Sequence, residues 1–111
     1  MNDFVYLFRS GGALPSPAER ETQMRKWVAW IKDLEDKGHL KNRGSGLRSV
    51  GRVAAGNKPV TDGPYSEKDL VVGFLIVQSS DLDHAAALSL GCPILDYGGT
   101  VEIRPVLEVP A

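Results

Sequence analysis

Three features of this 111-residue chain predict an α+β fold of ferredoxin-like plan: a two-residue apolar period near the start and again near the end, a strand apolar on both faces at residues 70–77, and two stretches of helical period between them. In order they read strand, helix, hairpin, strand, helix, strand. This places two helices on one face of a mainly antiparallel sheet. The length fits one domain, residues 1–111, and 42% apolar content is enough for one modest core.

Phe4, Tyr6 and Phe8 alternate with Val5, Leu7 and Arg9, as in a strand largely covered on both faces. Gly11 and Pro15 break that strand. From Pro17 onward, Met24, Trp27, Val28, Ile31 and Leu34 recur at helical spacing. Ser16 is placed as N-cap, Glu19 completes a capping box, and Gly38 ends the helix. Trp30 sits at the edge of the stripe, so it either widens the buried face or lines a site beside it.

Residues 39–61 are rich in Gly, Arg and Lys, with a weak strand signal over residues 47–55 and a hairpin tip at Gly56-Asn57. In the run 70–77, Leu70, Val72, Phe74 and Ile76 share one face and Val71, Leu75 and Val77 the other. Gly73 interrupts the second face, which implies close approach by a neighbour. Ser80 and Asp81 open a second helix with apolar Leu82, Ala85, Ala86 and Leu88, and Gly91 and Pro93 stop it. The last strand covers residues 100–107, with Val101, Ile103 and Leu107 on one side and Thr100, Glu102 and Arg104 on the other. The central strand leaves apolar side chains on the face without helices, and a two-fold homodimer is the commonest closed way to cover them.

Thirteen basic and fourteen acidic residues give a net charge of -1, no electrostatic footprint for nucleic acid or an anionic membrane. Arg43, Arg48, Arg52 and Lys58 cluster locally, but without interleaved aromatics they read as a solvated hairpin. The single cysteine, Cys92, excludes an intrachain disulfide and a multi-cysteine zinc site, and it suits a reducing cytoplasm. There is no basic leader followed by an apolar core and no run approaching about 18 apolar residues, so the expected location is cytoplasmic, neither exported nor embedded in a membrane. No Walker loop, G-x-G-x-x-G or G-x-S-x-G occurs, and no cofactor is expected.

Residues 61–67, TDGPYSE, carry the sharpest local signal. Asp62-Gly63 is a turn dipeptide, and Pro64 fixes its own φ while steering Gly63 away from the right-handed helical region. Asp62, held beside the central strand, has two readings: a desolvated carboxylate acting as general base, or a cap on amides near Tyr65. Glu67 either faces a pocket or pairs with a nearby cation. Arg104 and Arg9 either hold an anionic ligand or pair with carboxylates such as Glu102. His39 follows the end of the first helix with its ring mostly toward solvent, and its alternative is a place in the site. His84 reads as a polar surface residue, and neither histidine has metal-ligand spacing with Asp62 or Glu67, so no metal is expected. Cys92, after a helix C-terminus, reads as a packing residue rather than a nucleophile.

The TDGPYSE segment resembles the signature of the DGPF branch of the YCII-related family, with Tyr65 in place of the usual Phe. VEIRPV, residues 101–106, is similar to the family's closing strand, and Cys92-Pro93 after the second helix also agrees. The likeness extends over most of the chain from Phe4 onward. It implies a dimeric α/β barrel and, in an enzymatic version, isomerase or cofactor-independent oxygenase chemistry. The acidic turn fixed beside the central strand adds the expectation of a small-molecule pocket between sheet and helices, bordered by Asp62, Tyr65 and Glu67. The histidine and aspartate pair of the YCII-type branch does not carry over: no histidine lies between Pro17 and Gly38, and Cys92 stands before Pro93 where aspartate would be. Asp62 and Glu67 then remain as the acid-base candidates. The resemblance also implies a non-catalytic alternative, a partner of an extracytoplasmic-function sigma factor, because members are often encoded beside such factors.

Overall fold

Strand β1 (Asn2–Arg9) buries Phe4, Tyr6 and Phe8 on one face, as its alternation demands, in the computed structural model, which describes residues 1–11, 15–56 and 58–109. The chain continues through α1 (Pro17–Asp36), β2 (Leu40–Gly46), β3 (Gly51–Ala55), β4 (Lys58–Gly63), β5 (Val71–Ser79), α2 (Leu82–Ser89), a 3-10 turn (Pro93–Tyr97) and β6 (Thr100–Pro105). Four strands form one sheet in the order β2-β5-β1-β6, every neighbouring pair antiparallel. This is the ferredoxin-like order, with the β3–β4 ribbon inserted between its second and third strands. The expected hairpin tip residue Asn57 lies outside the described residues.

Helix α1 starts as its sequence dictates. Ser16 Oγ accepts from the Glu19 amide at 3.2 Å, and Glu19 Oε1 accepts from the Ser16 amide at 3.4 Å. Its buried face differs from expectation. Two overlapping sets satisfy the i, i+3, i+4, i+7 pattern, 24-27-28-31 and 27-30-31-34, and the second faces the sheet, leaving Met24 and Val28 exposed. Trp30 decides between them: its indole stacks on Tyr6 at 6.1 Å and its Nε1 donates to the Leu88 carbonyl at 3.4 Å.

Strand β2 is the element that the composition concealed. LKNRGSG carries one apolar residue, Leu40, because an edge strand is held mainly by backbone hydrogen bonds to β5. Its register slips between Asn42 and Ser45, where Gly44 takes φ 59°.

On β5, Gly73, Leu75, Val77 and Ser79 face the helices and are buried. Val5, Leu7, Phe74 and Ile76 occupy the opposite face, half-buried, with no helix over them. Asp81 caps α2 through Oδ1, which accepts from the His84 amide at 2.8 Å, and the Tyr6 hydroxyl donates to the Ala85 carbonyl at 2.5 Å, tying the helix to β1. Strand β6 stops at Pro105, which offers no donor to a ladder, so Leu107 lies beyond the strand and is exposed rather than packed with Val101 and Ile103. The radius of gyration is 15.5 Å, against about 13 Å for a compact chain of this length, because the ribbon stands away from the body. No described helix is long and apolar enough to cross a membrane.

Candidate functional site

Gly73 leaves a gap in the helix-facing row of β5. A Cβ there would lie 3.0 Å from the Ser45 carbonyl oxygen and 3.3 Å from the Gly46 Cα, so β2 approaches as closely as the glycine permits. Beside that gap a half-open cavity of about 380 Å³ runs between α1 and the sheet, within the size range of small-molecule sites. Phe8, Trp27, Ile31 and Ile94 give it apolar walls, and the β5 segment 72–75 passes along it. Trp27 is set edge-on to Phe8 at 4.9 Å, which fixes the wall.

Polar atoms come from Gln23, Arg43 and Ser45. Arg43 reaches from β2 to pair with Glu35 of α1, a largely exposed pair that holds the guanidinium at the mouth. Among the described residues that line the cavity, Arg43 is the only ionic group. The arrangement can grip a flat apolar ring and orient its oxygen substituents; its own lining supplies no carboxylate, imidazole or thiol for proton transfer.

Asp62 and Glu67 meet elsewhere. They line an open cleft at the root of the ribbon with Ser49, Arg52, Pro64 and Leu70. Asp62 lies on β4 and not in a turn, opposite Arg52, whose Nη1 is 3.4 Å from its Oδ1; the Asp62 side chain is 91% exposed, which does not fit the reading of a desolvated carboxylate. The chain turns after it, at the cis Gly63-Pro64 bond, and the amide cap in that turn is Ser66 Oγ, which accepts from the Asp69 amide at 3.2 Å. Tyr65 is 92% exposed and lines neither hollow.

The other candidates are also dispersed. Arg9 is engaged by Glu102 Oε1 at 3.0 Å and the Asp69 carbonyl at 2.8 Å. Arg104 lies exposed opposite Val5 on the face without helices. Trp30 belongs to the core, and Trp27, one turn earlier, is the indole at the cavity. His39 is half-buried rather than facing solvent: its Nδ1 meets the Gln78 carbonyl at 3.2 Å and its ring lies 5.2 Å from that of His84. His84 is likewise tucked in, with Nδ1 2.5 Å from Ser79 Oγ. Both rings sit at the end of β5 remote from Gly73, roughly 16 Å along the strand at about 3.3 Å per residue. Among the described residues no three His, Cys, Asp or Glu side chains gather into a metal-binding group.

Cys92 is buried, and burial pushes its thiol up to about 12, with the Ile94 amide pulling the other way and Asp96 adding to the rise. Burial likewise raises the Tyr6 phenol, with a further contribution from Cys92. Arg43 lies in a Gly-rich basic stretch that looks solvated, which hides its place at the cavity from the sequence. Gly73 was the signal that could have located the cavity.

Fold and cavity together define a small α+β protein with an apolar ligand-sized hollow beneath its first helix. The YCII-related domain matches residues 5–110, so the chain belongs to the YCII-related family. Among solved structures it is similar to TftG, the 5-chloro-2-hydroxyhydroquinone dehydrochlorinase of Burkholderia phenoliruptrix AC1100, in its complex with 2,5-dihydroxybenzoquinone. The TM-score is 0.54 at 18% identity, over 94% of this chain and 91% of that one. At that identity the likeness establishes the shared fold. No curated protein sequence matches the chain.

Proposed function

We propose that this chain forms a homodimer and takes a small flat organic molecule, an apolar ring bearing an anionic or hydroxyl substituent, into the cavity beneath α1. The observation that carries this is the pairing of aromatic walls, Phe8 and Trp27, with a polar mouth of Gln23, Arg43 and Ser45. Ring contacts supply most of the binding, and Arg43 selects for a negative or hydrogen-bond-accepting oxygen. The ligand of TftG, a hydroxylated quinone, has the same character and supports the ligand class in kind. If the protein turns this ligand over, proton transfer falls to groups outside the cavity lining, Asp62 and Glu67 being the acidic pair of the neighbouring cleft. Homodimer formation is supported by Val5, Leu7, Phe74 and Ile76, which share a sheet face without a covering helix. A regulatory role through an extracytoplasmic-function sigma factor rests on the family resemblance alone.

Titration with 2,5-dihydroxybenzoquinone and with hydroxybenzoates, followed by tryptophan fluorescence, tests the site. Saturable quenching is expected, weakened about tenfold for the anionic ligands in Arg43→Gln. Absence of saturable binding for every member of that panel at about 1 mM would sink the proposal.

A further inference from the structure

Among the described residues, no helix or strand of the same protomer packs firmly on the β3–β4 ribbon. Neither strand packs on another element beyond isolated contacts, and a lone two-stranded hairpin is marginal in water. It nevertheless displays aliphatic side chains: Val50 at its root is 77% exposed and Val60 on β4 is 61% exposed, with Leu47 and Tyr65 also exposed on the flanking segments. Arg52 faces Asp62 across the two strands and pairs with it.

The accessible surface measures what is left uncovered. It totals 7897 Å², whereas a compact 12.0 kDa monomer exposes about 6,000 Å² by the scaling 6.3 × M^0.73. The difference, 7897 less about 6,000, is about 1,900 Å² per protomer, or about 3,800 Å² for a pair. Obligate homodimers bury roughly 2,000–5,000 Å² in total.

We propose that the β3–β4 ribbon is an arm that packs across a second copy of this chain, seating Val50 and Val60 against the partner; this rests on the homodimer reading above. A second copy fits better than an unrelated partner because one chain carries both the unsupported ribbon and the uncovered sheet face. Under a two-fold axis each arm covers the other protomer, so both uncovered surfaces close at once. The Arg52–Asp62 pair lets that part of the ribbon be covered without stranding either of these two charges. On this account the TDGPYSE segment sets the path by which the arm returns to β5, and its high exposure is a property of the isolated protomer.

The test is the light-scattering mass of the wild type and of the double variant Val50→Asp/Val60→Asp across a dilution series, with hydrogen exchange of the wild type alongside. The wild type should weigh about 24 kDa, twice 12.0 kDa, with slowly exchanging amides in β3 and β4. In the variant the dimer dissociation constant should rise at least about 100-fold. A wild type that stays at 12.0 kDa up to about 100 μM overturns the homodimer and the arm together. A variant that dimerises as tightly as the wild type, or a wild-type dimer whose ribbon amides exchange freely, overturns the arm and leaves the homodimer standing. The exchange measurement decides the matter even if the variant fails to fold.

Discussion

Replacing Gly44 with alanine probes the least expected part of the fold, the edge strand that forms one side of the cavity. Gly44 has φ 59°, a region that costs an L-residue about 1–2 kcal/mol. The new Cβ would also lie 1.8 Å from the Phe74 carbonyl oxygen and 2.6 Å from its carbon. These are backbone atoms of the central strand and cannot swing aside as a side-chain tip can. Relief requires β2 to lift from β5 between Asn42 and Ser45, losing one or two ladder hydrogen bonds at about 1 kcal/mol net each. The total is about 3 kcal/mol. With an unfolding entropy near 2.1 cal/mol/K per residue, a chain of 111 residues loses about 4 °C of melting temperature per kcal/mol, so Gly44→Ala should melt about 13 °C below the wild type by circular dichroism. Arg43 and Ser45 flank the substitution, so ring-compound binding should weaken in the same variant. A melting point within about 3 °C of the wild type would show that β2 does not run this close to β5, and the cavity built on that approach would go with it.

Two further outcomes follow from the core. Tyr6→Phe keeps the stack on Trp30 but removes the donor to the Ala85 carbonyl, and should cost roughly 1–2 kcal/mol in denaturant titration; an unchanged midpoint would mean that α2 is not tied to β1 through this bond. Cys92 has a folded-state value near 12 against an ordinary value of 9.0, so its contribution to stability is complete below about pH 9 and is lost as pH rises through about 12. Tyr6 shifts in the same direction. Stability measured by denaturant should therefore fall in alkali, less steeply in Cys92→Ala, and iodoacetamide should label the native thiol at pH 8 only as fast as the protein unfolds. Rapid labelling of the folded protein would contradict the burial.

How much of this was legible depended on whether a residue's role was local. Ser16 and Glu19 make their capping box within one turn, and Asp81 caps α2 through its own neighbours, so both were readable from spacing. β5 was readable because apolar residues on both of its faces, one buried under the helices and the other half-buried, leave an apolar run. β2 was not, because an edge strand needs few apolar side chains and its partners lie about thirty positions away on β5. The helix stripe was ambiguous for a different reason: periodicity gave two registers for α1, and only the Tyr6 ring across the interface selects the one that buries Trp30 and sends Trp27 to the cavity. Asp62 failed as a buried carboxylate because Asp-Gly-Pro marks a turn from the chain's point of view, while Asp62 itself remains paired to Arg52 one strand away.

The signature segment and the cavity occupy different parts of the molecule, yet the chain connects them through very few residues. β2 ends at Gly46 against Gly73, and the Leu47 amide donates to the Val72 carbonyl at 2.8 Å before the ribbon departs. At its other end the ribbon returns through Pro64 and Leu70 to Val71 and Val72. Gly46, Val72 and Gly73 all line the cavity. Any contact that fixes the ribbon's angle therefore acts on two strands that meet at the cavity's end, and a ligand that wedges between α1 and β2 acts on the ribbon in return. Binding couplings are reciprocal, so a ring compound that tightens a dimer held by the ribbon must itself bind more tightly to the dimer than to the protomer, and by the same factor. Measuring the ligand's affinity above and below the dimer dissociation constant reads that factor directly; equal affinities would mean that the two sites, though joined by a handful of residues, are energetically separate.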